Sequence, residues 1–333
     1  MRGNHSFAHT LMRLTMISPL LLVSCRTQGP SQSRTAVPAL PAEVPGTPDR
    51  FSVLIMGNPA GQQAVWTAPD GQLHVFFQFN DRGRGPQTTS VLKLDAKGFP
   101  VAENITGNDY YKSPVRENFA IEAGTARWKS NIEQGEKQLS TPAVYVSTDG
   151  APEELGLLAR AALGNAGKVP LLPEGEATLN RVAGVSLESA GRKKNVTMYA
   201  IGGLDFGPTY VWLDDRDSFF ATVNPWTTVI PEGWEPTVKS LQAAQDKARD
   251  AYSAELASRL AHPAPDGIVF AHVNLFDATS AEILKDQTVA SAALGLPVKL
   301  LRRPGRWLSM AGVKHCCPDY GTCTPTSRIT TAC

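Results

Sequence analysis

The stretch "QLHVFFQF", residues 72–79, carries the clearest structural pattern in this sequence. Its apolar side chains at Leu73, Val75, Phe77 and Phe79 recur at every second position. Alternate side chains of a β-strand point to opposite faces, so these four residues share one face. The stretch therefore predicts a strand whose apolar face packs into a core.

Segments of similar character extend on both sides, from Phe51 to about Trp234, with turn residues between them. They are "SVLKLDAKGFPV", "ENFAIEAGTARW", "PAVYVS", "EATLNRVAGVSLES", "NVTMYAIGG", "TYVWL" and "SFFATVN". One helix interrupts them at "PEELGLLARAAL", residues 152–163, where Pro152 suits a first helical turn. The sequence thus predicts a mainly β fold of the α+β class, with an antiparallel β-rich domain over residues 50–235.

Composition limits the partners that this chain can have. Hydrophobic residues make up 42% of the 333 residues, which is enough for a substantial core. The 32 basic residues nearly balance the 31 acidic residues, so charge gives no reason to expect a nucleic-acid partner. The sequence does not predict an oligomeric state.

The N-terminus has the features of an export signal. Arg2 and Arg13 precede "LTMISPLLLVSC", an apolar run that is too short to span a bilayer. Residues 22–25 resemble the lipobox of bacterial lipoproteins, in which the cysteine thiol receives a diacylglycerol and becomes the new N-terminus. The resemblance predicts a signal peptide over residues 1–25 and lipidation of Cys25.

The lipobox resemblance also implies a location. Arg26 follows the cysteine, rather than the aspartate that retains such proteins at the inner membrane, so we expect a periplasmic protein anchored to the outer membrane. The alternative is an ordinary secretory signal with an incidental cysteine. Residues 26–49 then contain five prolines among small polar residues, which predicts an extended tether.

A long helix is predicted after the β-rich domain, over residues 236–263. Apolar residues recur there at roughly helical spacing, and prolines end the pattern. The apolar positions are Val238, Leu241, Ala248, Tyr252, Leu256 and Leu260. We expect an amphipathic helix that bridges to a second domain.

The segment "HVNLFDATSAEILKDQTV", residues 272–289, resembles the opening of metal-dependent amidohydrolases of the urease-like superfamily. In that family, which includes imidazolonepropionase-like enzymes, a strand ending in "LFD" begins a composite β-sandwich in front of a TIM barrel. The segments "NDRGRGP", "PEELGLLARA" and "PTYVWLD" resemble the accessory β-domain of secreted members. The resemblance implies that residues 264–289 begin the sandwich.

The C-terminal stretch "HCCPDYGTC", residues 315–323, allows three interpretations. A structural zinc site needs separated cysteine pairs, which adjacent Cys316 and Cys317 do not supply, while an oxidising compartment favours disulfides that include Cys323. The third interpretation is a frameshift, because codons for residues 314–326 regrouped two bases later permit T-L-L-P-G-L-W-D-M-H-T-H. That string resembles the amidohydrolase metal motif, so residues 290–333 are interpreted as an out-of-frame, disordered tail.

The resemblance implies hydrolysis of a C–N bond, in an amide or cyclic amide, by water that zinc or another divalent metal activates. A TIM barrel needs about 250 residues, and the chain ends before one begins. We therefore expect a truncated, inactive relative with no catalytic, cofactor-binding or metal-binding residues of its own, so its status as an enzyme is uncertain. The alternative is a periplasmic lipoprotein whose β-rich domain binds a ligand or a protein partner.

A few side chains remain as candidates for a site. His74 is predicted on the solvent face of its strand, His262 at a helix end and His272 in or near a strand. The segment "DRGRGP", residues 81–86, is either a cradle for an anion or a hairpin loop, which the glycines favour. Five tryptophans either line a ligand pocket or pack in the core: Trp66, Trp128, Trp212, Trp226 and Trp234.

Overall fold

The computed structural model describes residues 47–261 and 268–291, the short strands at 299–301 and 307–309, and residues 40, 44 and 45. The chain divides into two compact units, Met1–Gln245 and Asp246–Cys333. This division lies close to the predicted domain boundaries, which stay predictions.

Fifteen strands form the sheet of the first unit within the described residues. They are β1 (Asp49–Ile55), β2 (Asn58–Thr67), β3 (Leu73–Phe79), β4 (Gln87–Leu94), β5 (Pro100–Asn108), β6 (Pro114–Glu122), β7 (Thr125–Lys129), β8 (Gln134–Gln138), β9 (Val144–Tyr145), β10 (Lys168–Leu172), β11 (Glu176–Ser189), β12 (Arg192–Gly202), β13 (Thr209–Asp214), β14 (Phe219–Val223) and β15 (Thr227–Pro231). The helix α1 (Glu153–Leu163) lies between β9 and β10. The prediction of a mainly β fold with a large antiparallel sheet is confirmed.

The sheet is centred on its first and last strands. Strand order runs from β8 down to β1, then β15, and down to β9. β1 pairs with β15 in a register that places Phe51 opposite Pro231. Every pair is antiparallel except β9 and β10, which are parallel because α1 supplies the crossover that a parallel connection needs. This pair is the one exception to the predicted antiparallel arrangement among the described strands.

The inner face of the sheet packs around α1. Strand β3 contributes Val75, Phe77 and Phe79 to this core, as its alternating pattern predicts. A side chain at position 156 would clash, because a Cβ there would lie 2.6 Å from the Cβ of Phe219. Gly156 therefore lets the helix approach β14 closely. The helix begins with two partly buried glutamates, Glu153 and Glu154.

The two ends of the sheet approach each other through side chains. Phe119 of β6 stacks on Tyr145 of β9, with ring centroids 4.8 Å apart. Trp128 of β7 and Leu172 of β10 belong to the same buried cluster. The sheet is therefore curled, and its two ends are held together by packing rather than by a ladder of hydrogen bonds.

The outer face of the central strands is also buried in part. Phe76 of β3 is 2% exposed, and Leu241, at the start of the helix α2 (Val238–Leu260), is buried. The Gln245 side chain donates a hydrogen bond of 2.7 Å to the Val223 carbonyl. The predicted helix is present, but its apolar stripe is buried only in its first two turns, and Tyr252 and Leu260 are exposed.

The second unit contains a β-hairpin of β16 (Ile268–Asp277) and β17 (Glu282–Ser291), followed by the short strands β18 (Lys299–Leu301) and β19 (Trp307–Ser309). The Asp277 carboxylate accepts the Thr279 N–H at 2.9 Å and so fixes the predicted turn. Residues 268–291 thus form a hairpin of two antiparallel strands. The described residues contain no TIM barrel, and the predicted out-of-frame tail falls largely outside them.

Candidate ligand groove

A groove lies on the inner side of the sheet, between β3 and the loop that joins β9 to α1. It has two adjoining parts of 370 Å³ and 300 Å³, which share Phe77, Thr148 and Gly150. Aromatic rings and two aspartates line the larger part, which we call the aromatic end. Aliphatic side chains and one glutamate line the smaller part, the apolar end.

Three separate segments bring the rings of the aromatic end together. Phe79 belongs to β3, Tyr110 to the β5–β6 loop and Trp226 to the β14–β15 turn. The Phe79 ring centroid lies 5.7 Å from that of Trp226 and 6.2 Å from that of Tyr110. Trp226 is 42% exposed, which places its indole at the mouth of the groove.

Tyr110 is held by a charged neighbour behind it. Its hydroxyl donates a hydrogen bond of 2.6 Å to the largely buried Asp81 carboxylate, which also pairs with Arg82 at 2.9 Å. The Arg84 guanidinium lies 5.2 Å from the centre of the Tyr110 ring. The hydrogen bond from Arg82, then that from Tyr110, lowers the pKa of Asp81 to about 2. The carboxylate therefore stays ionised and fixes the ring.

Two aspartates stand at the wall of the aromatic end. The Asp109 carboxylate accepts the N–H groups of Tyr111 and Ser113, each at 2.8 Å, and so stabilises its own turn. The Asp149 side chain is half-buried, and no described residue forms a hydrogen bond or ion pair with it. Burial, then the charges of Glu117 and Asp109, raises the pKa of Asp149.

Glu117 fixes the loop that forms this wall. Its carboxylate is 1% exposed and accepts the Tyr145 hydroxyl at 2.6 Å. It also accepts the N–H of Thr148 at 2.9 Å and that of Asp149 at 3.1 Å. Burial, then the hydrogen bond to Glu117, raises the pKa of Tyr145, so its hydroxyl stays a donor. One carboxylate on β6 thus shapes the groove.

A second pair of carboxyl groups lies at the apolar end. Glu154 of α1 accepts the Ser147 hydroxyl and the Ala151 N–H, the latter at 2.8 Å. Burial, then the charge of Glu154 and a hydrogen bond with it, raises the pKa of Glu103 well above its ordinary value. Burial also raises the pKa of Glu154. Burial therefore favours the protonated form of both carboxyl groups, most strongly that of Glu103.

Several polar atoms on the inner face have no hydrogen-bond partner among the described residues. They are Gln63 Oε1, Thr88 Oγ1, Ser90 Oγ and Glu103 Oε1. The Thr88 side chain is 2% exposed and lines the aromatic end. An unpaired buried polar group costs about 1–3 kcal/mol, so these atoms have unused capacity to bind a polar group.

The structure separates the candidates that the sequence offered. His74 lies partly exposed on the outer face and stacks on Trp66 at 5.1 Å. Residues 81–86 form a hairpin loop, closed by a bridge between Asp81 and Arg84, which confirms that interpretation. Trp226 lines the groove, whereas Trp212 is fully buried in the core.

Other candidates lie elsewhere. The His272 Nδ1 lies 2.7 Å from an Asp286 carboxylate oxygen, and both side chains are exposed. Cys25, His262, Cys316, Cys317 and Cys323 lie outside the described residues. Sequence reasoning missed Asp149 and Glu117, because only the fold brings their segments together.

Searches of the described part for metal sites and membrane spans gave negative results. It contains no group of three or more His, Cys, Asp or Glu side chains arranged to hold a metal ion. None of its helices combines the length and the apolar character that crossing a membrane requires.

Comparisons with known proteins find matches among solved structures. No family model matches the chain, and no curated protein matches it. Among solved structures, it is similar to a β-barrel-like protein of a domain of unknown function, DUF1849, from Brucella abortus, with a TM-score of 0.35 and 10% identity. The match covers 55% of this chain and 93% of the other, and it assigns no function.

The amidohydrolase resemblance is wrong. No family model or curated protein supports it, and the described residues hold no group of side chains arranged to bind a metal. Its segments are local elements, since "PEELGLLARA" is α1 and "LFD" ends β16 before a turn. Hydrolase activity, metal dependence, truncation and the frameshift depended on that family and are withdrawn with it. Lipidation of Cys25 stays a prediction that no comparison supports.

Proposed function

We propose that the curled sheet is a small-molecule-binding domain and that its ligand lies in the groove beneath the β9–α1 loop. The observation that carries the proposal is Thr88, which lines an aromatic-lined cavity and whose buried hydroxyl is unpaired among the described residues. Ligand sites are commonly concave and mostly apolar, with a few convergent polar groups. Both parts of the groove match that description.

Rigidity of the groove walls supports the proposal. Glu117 fixes the loop wall through three donors, and Asp81 fixes the Tyr110 ring. The Asn224 side-chain oxygen Oδ1 accepts the N–H groups of Trp226 at 2.9 Å and Thr227 at 2.7 Å, which sets the turn at the mouth. A site held in place before binding loses little conformational entropy when the ligand arrives.

A neutral hydrophobic fluorophore, N-phenyl-1-naphthylamine, tests the site. We expect saturable binding to the full chain, with energy transfer from Trp226 that Trp226→Phe reduces. Thr148→Trp should abolish this binding, because Thr148 is exposed and lines both parts of the groove.

The matched control is Thr106→Trp, since Thr106 is an exposed threonine on β5 away from the groove. It should leave binding unchanged. Fluorophore binding that survives Thr148→Trp, or that never saturates, would rule out the groove as the site.

The location of this domain is part of the proposal. Cys25 carries a lipid anchor, and the proline-rich residues 26–49 hold the domain away from a membrane surface. Metabolic labelling with a radioactive fatty acid should label the protein, and Cys25→Ala should remove the label. An unlabelled wild-type chain would mean that the segment is an ordinary secretory signal.

A further inference from the structure

We infer that the ligand of the groove is an organic cation, a protonated amine or quaternary ammonium group that carries an apolar body. This inference rests on the proposed function and names its ligand class. Its charged head would lie at the aromatic end, among the rings and aspartates, and its apolar body would extend into the apolar end.

The rings supply the first argument. Phe79, Tyr110 and Trp226 lie within 6.2 Å of one another by their centroids. The faces of such rings attract a cation, most strongly for tryptophan, and the attraction grows when the cation is desolvated. Three rings at one end of a cavity are the arrangement that recognises quaternary ammonium groups.

Charge supplies the second argument. Asp109 and Asp149 line the aromatic end, and Glu154 lines the apolar end, while no described lysine, arginine or histidine lines either part. Within the described chain the Asp149 carboxylate has neither an ion pair nor a hydrogen bond, although the residue is half-buried near Glu117. A cation at this wall would relieve the repulsion among these carboxylates.

The nearest basic side chains are engaged outside the cavity. Arg82 pairs with Asp81, and Arg84 lies over Tyr110. The Lys112 ammonium donates a hydrogen bond of 2.6 Å to the Gly85 carbonyl. None of the three lines the groove, so none occupies the place of a bound cation.

An unpaired hydroxyl at the aromatic end and the volume of the apolar end supply an independent argument. The buried Thr88 hydroxyl at the aromatic end has no partner among the described residues and can accept an ammonium N–H or a ligand hydroxyl. Leu155, Leu158 and Leu204 line the 300 Å³ apolar end, which suits a hydrocarbon body. The ligand is therefore amphiphilic, with its charge at one end.

Three probes of similar shape test the inference. Benzyltrimethylammonium is cationic, neopentylbenzene is its neutral carbon isostere, and phenylmethanesulfonate is anionic. Each is titrated against the full chain loaded with the neutral fluorophore, and displacement is measured. We expect the cation to displace it at about ten-fold lower concentration than the neutral isostere, since aromatic faces attract a desolvated cation and not its neutral isostere.

Matched variants locate the effect. Asp149→Asn and Trp226→Leu should each weaken displacement of the fluorophore by the cation by several fold. Displacement by the neutral isostere should stay nearly unchanged. Asp70→Asn is the acidic control, because Asp70 stabilises an exposed turn as Asp109 does, and Trp66→Leu is the aromatic control on the other face. Neither control should alter displacement.

The outcomes separate the two proposals. Fluorophore binding in the groove with equal displacement by the cation and the neutral isostere, or with the anion strongest, overturns the organic-cation inference and leaves the proposed function standing. Failure of the fluorophore to bind in the groove overturns the proposed function, and the inference with it.

Discussion

Two parts of the inner face of one sheet are equally buried and differ in chemistry. Where β1, β3, β13 and β15 face α1, the side chains are aliphatic, and Val53, Val75, Val211 and Val229 are each 0% exposed. Where β5 and β6 face the start of α1, the buried residues include Glu103 and Glu117, at 3% and 1% exposure. We call these the aliphatic and acidic regions.

The difference shows that burial has two roles in this protein. Apolar burial stabilises the fold by about 25 cal/mol per Å². Burying a carboxyl group is costly unless hydrogen bonds or protonation compensate, so the acidic region stabilises the fold less. It instead holds the groove wall and places polar groups beside a cavity. Four substitutions, from the largest expected effect to the smallest, test this division.

Leu157→Ala should have the largest effect, because it removes a side chain that is 2% exposed in the aliphatic region. We expect a loss of about 3 kcal/mol in the free energy of unfolding, from lost burial and the cavity left behind. Urea unfolding followed by circular dichroism measures it. A loss below about 1 kcal/mol would mean that the helix is not the centre of this core.

Glu117→Ala should cost about 2 kcal/mol, because it leaves the Tyr145 hydroxyl and two loop N–H groups without their acceptor. Fluorophore binding should weaken as well, since the wall loses its anchor. Glu117→Gln keeps one acceptor oxygen, so its free energy of unfolding should lie between those of Glu117→Ala and the wild type. Equal stability of Glu117→Ala and wild type would contradict the role of this carboxylate.

Stability should fall as the pH rises from about 5 to about 8. Burial raises the pKa of Glu153 to about 8, from 4.5 in a model peptide, so the folded state binds more protons than the unfolded state across that window. Because the pKa of Asp81 is lowered, this residue makes stability depend on pH only below that window. Thermal unfolding at several pH values measures the slope.

Glu153→Gln should make this pH dependence shallower, because it removes one of the buried carboxyl groups whose pKa is raised, while Glu103 and Glu154 remain. Glu188→Gln is the control, since the Glu188 side chain is 63% exposed and its substitution should leave the slope unchanged. The same slope in Glu153→Gln and wild type would mean that other groups control the pH dependence.

Glu103→Gln should have the smallest effect at neutral pH, below about 1 kcal/mol. The Glu103 carboxyl is already held protonated beside Glu154, and an amide of the same shape can donate to that carboxylate in its place. Chemical unfolding at pH 7 checks this. A large loss would show that the carboxyl is ionised in the folded protein.

Local patterns in the sequence predict much of the sheet. The alternation at residues 73–79 correctly predicts the buried face of β3, and "EATLNRVAGVSLES" coincides with β11. The helix α1 begins beside Pro152, as its first-turn chemistry indicates. Each of these features is determined by residues that are close together in the sequence, so a local sequence pattern is enough to predict it.

The groove could not be predicted in the same way. Phe79, Tyr110 and Trp226 lie far apart in the sequence and meet only because the sheet curls. Glu103 and Glu117 look like solvent-facing residues of strands until α1 is known to lie against them. The amidohydrolase hypothesis failed for a related reason, since a strand end and turn such as "LFD" occur in many folds.

The pairing of β1 with β15 has a consequence for how the protein acquires its structure. The residues that meet at the middle of the sheet, Phe51 and Pro231, are separated by almost the whole of the first unit. A ribosome must therefore deliver nearly all of that unit before its central ladder can form. Until then the chain has only flanking hairpins, with the edges of β1 and β15 unpaired. Because such long-range contacts form slowly, assembly of the centre should set the pace of folding.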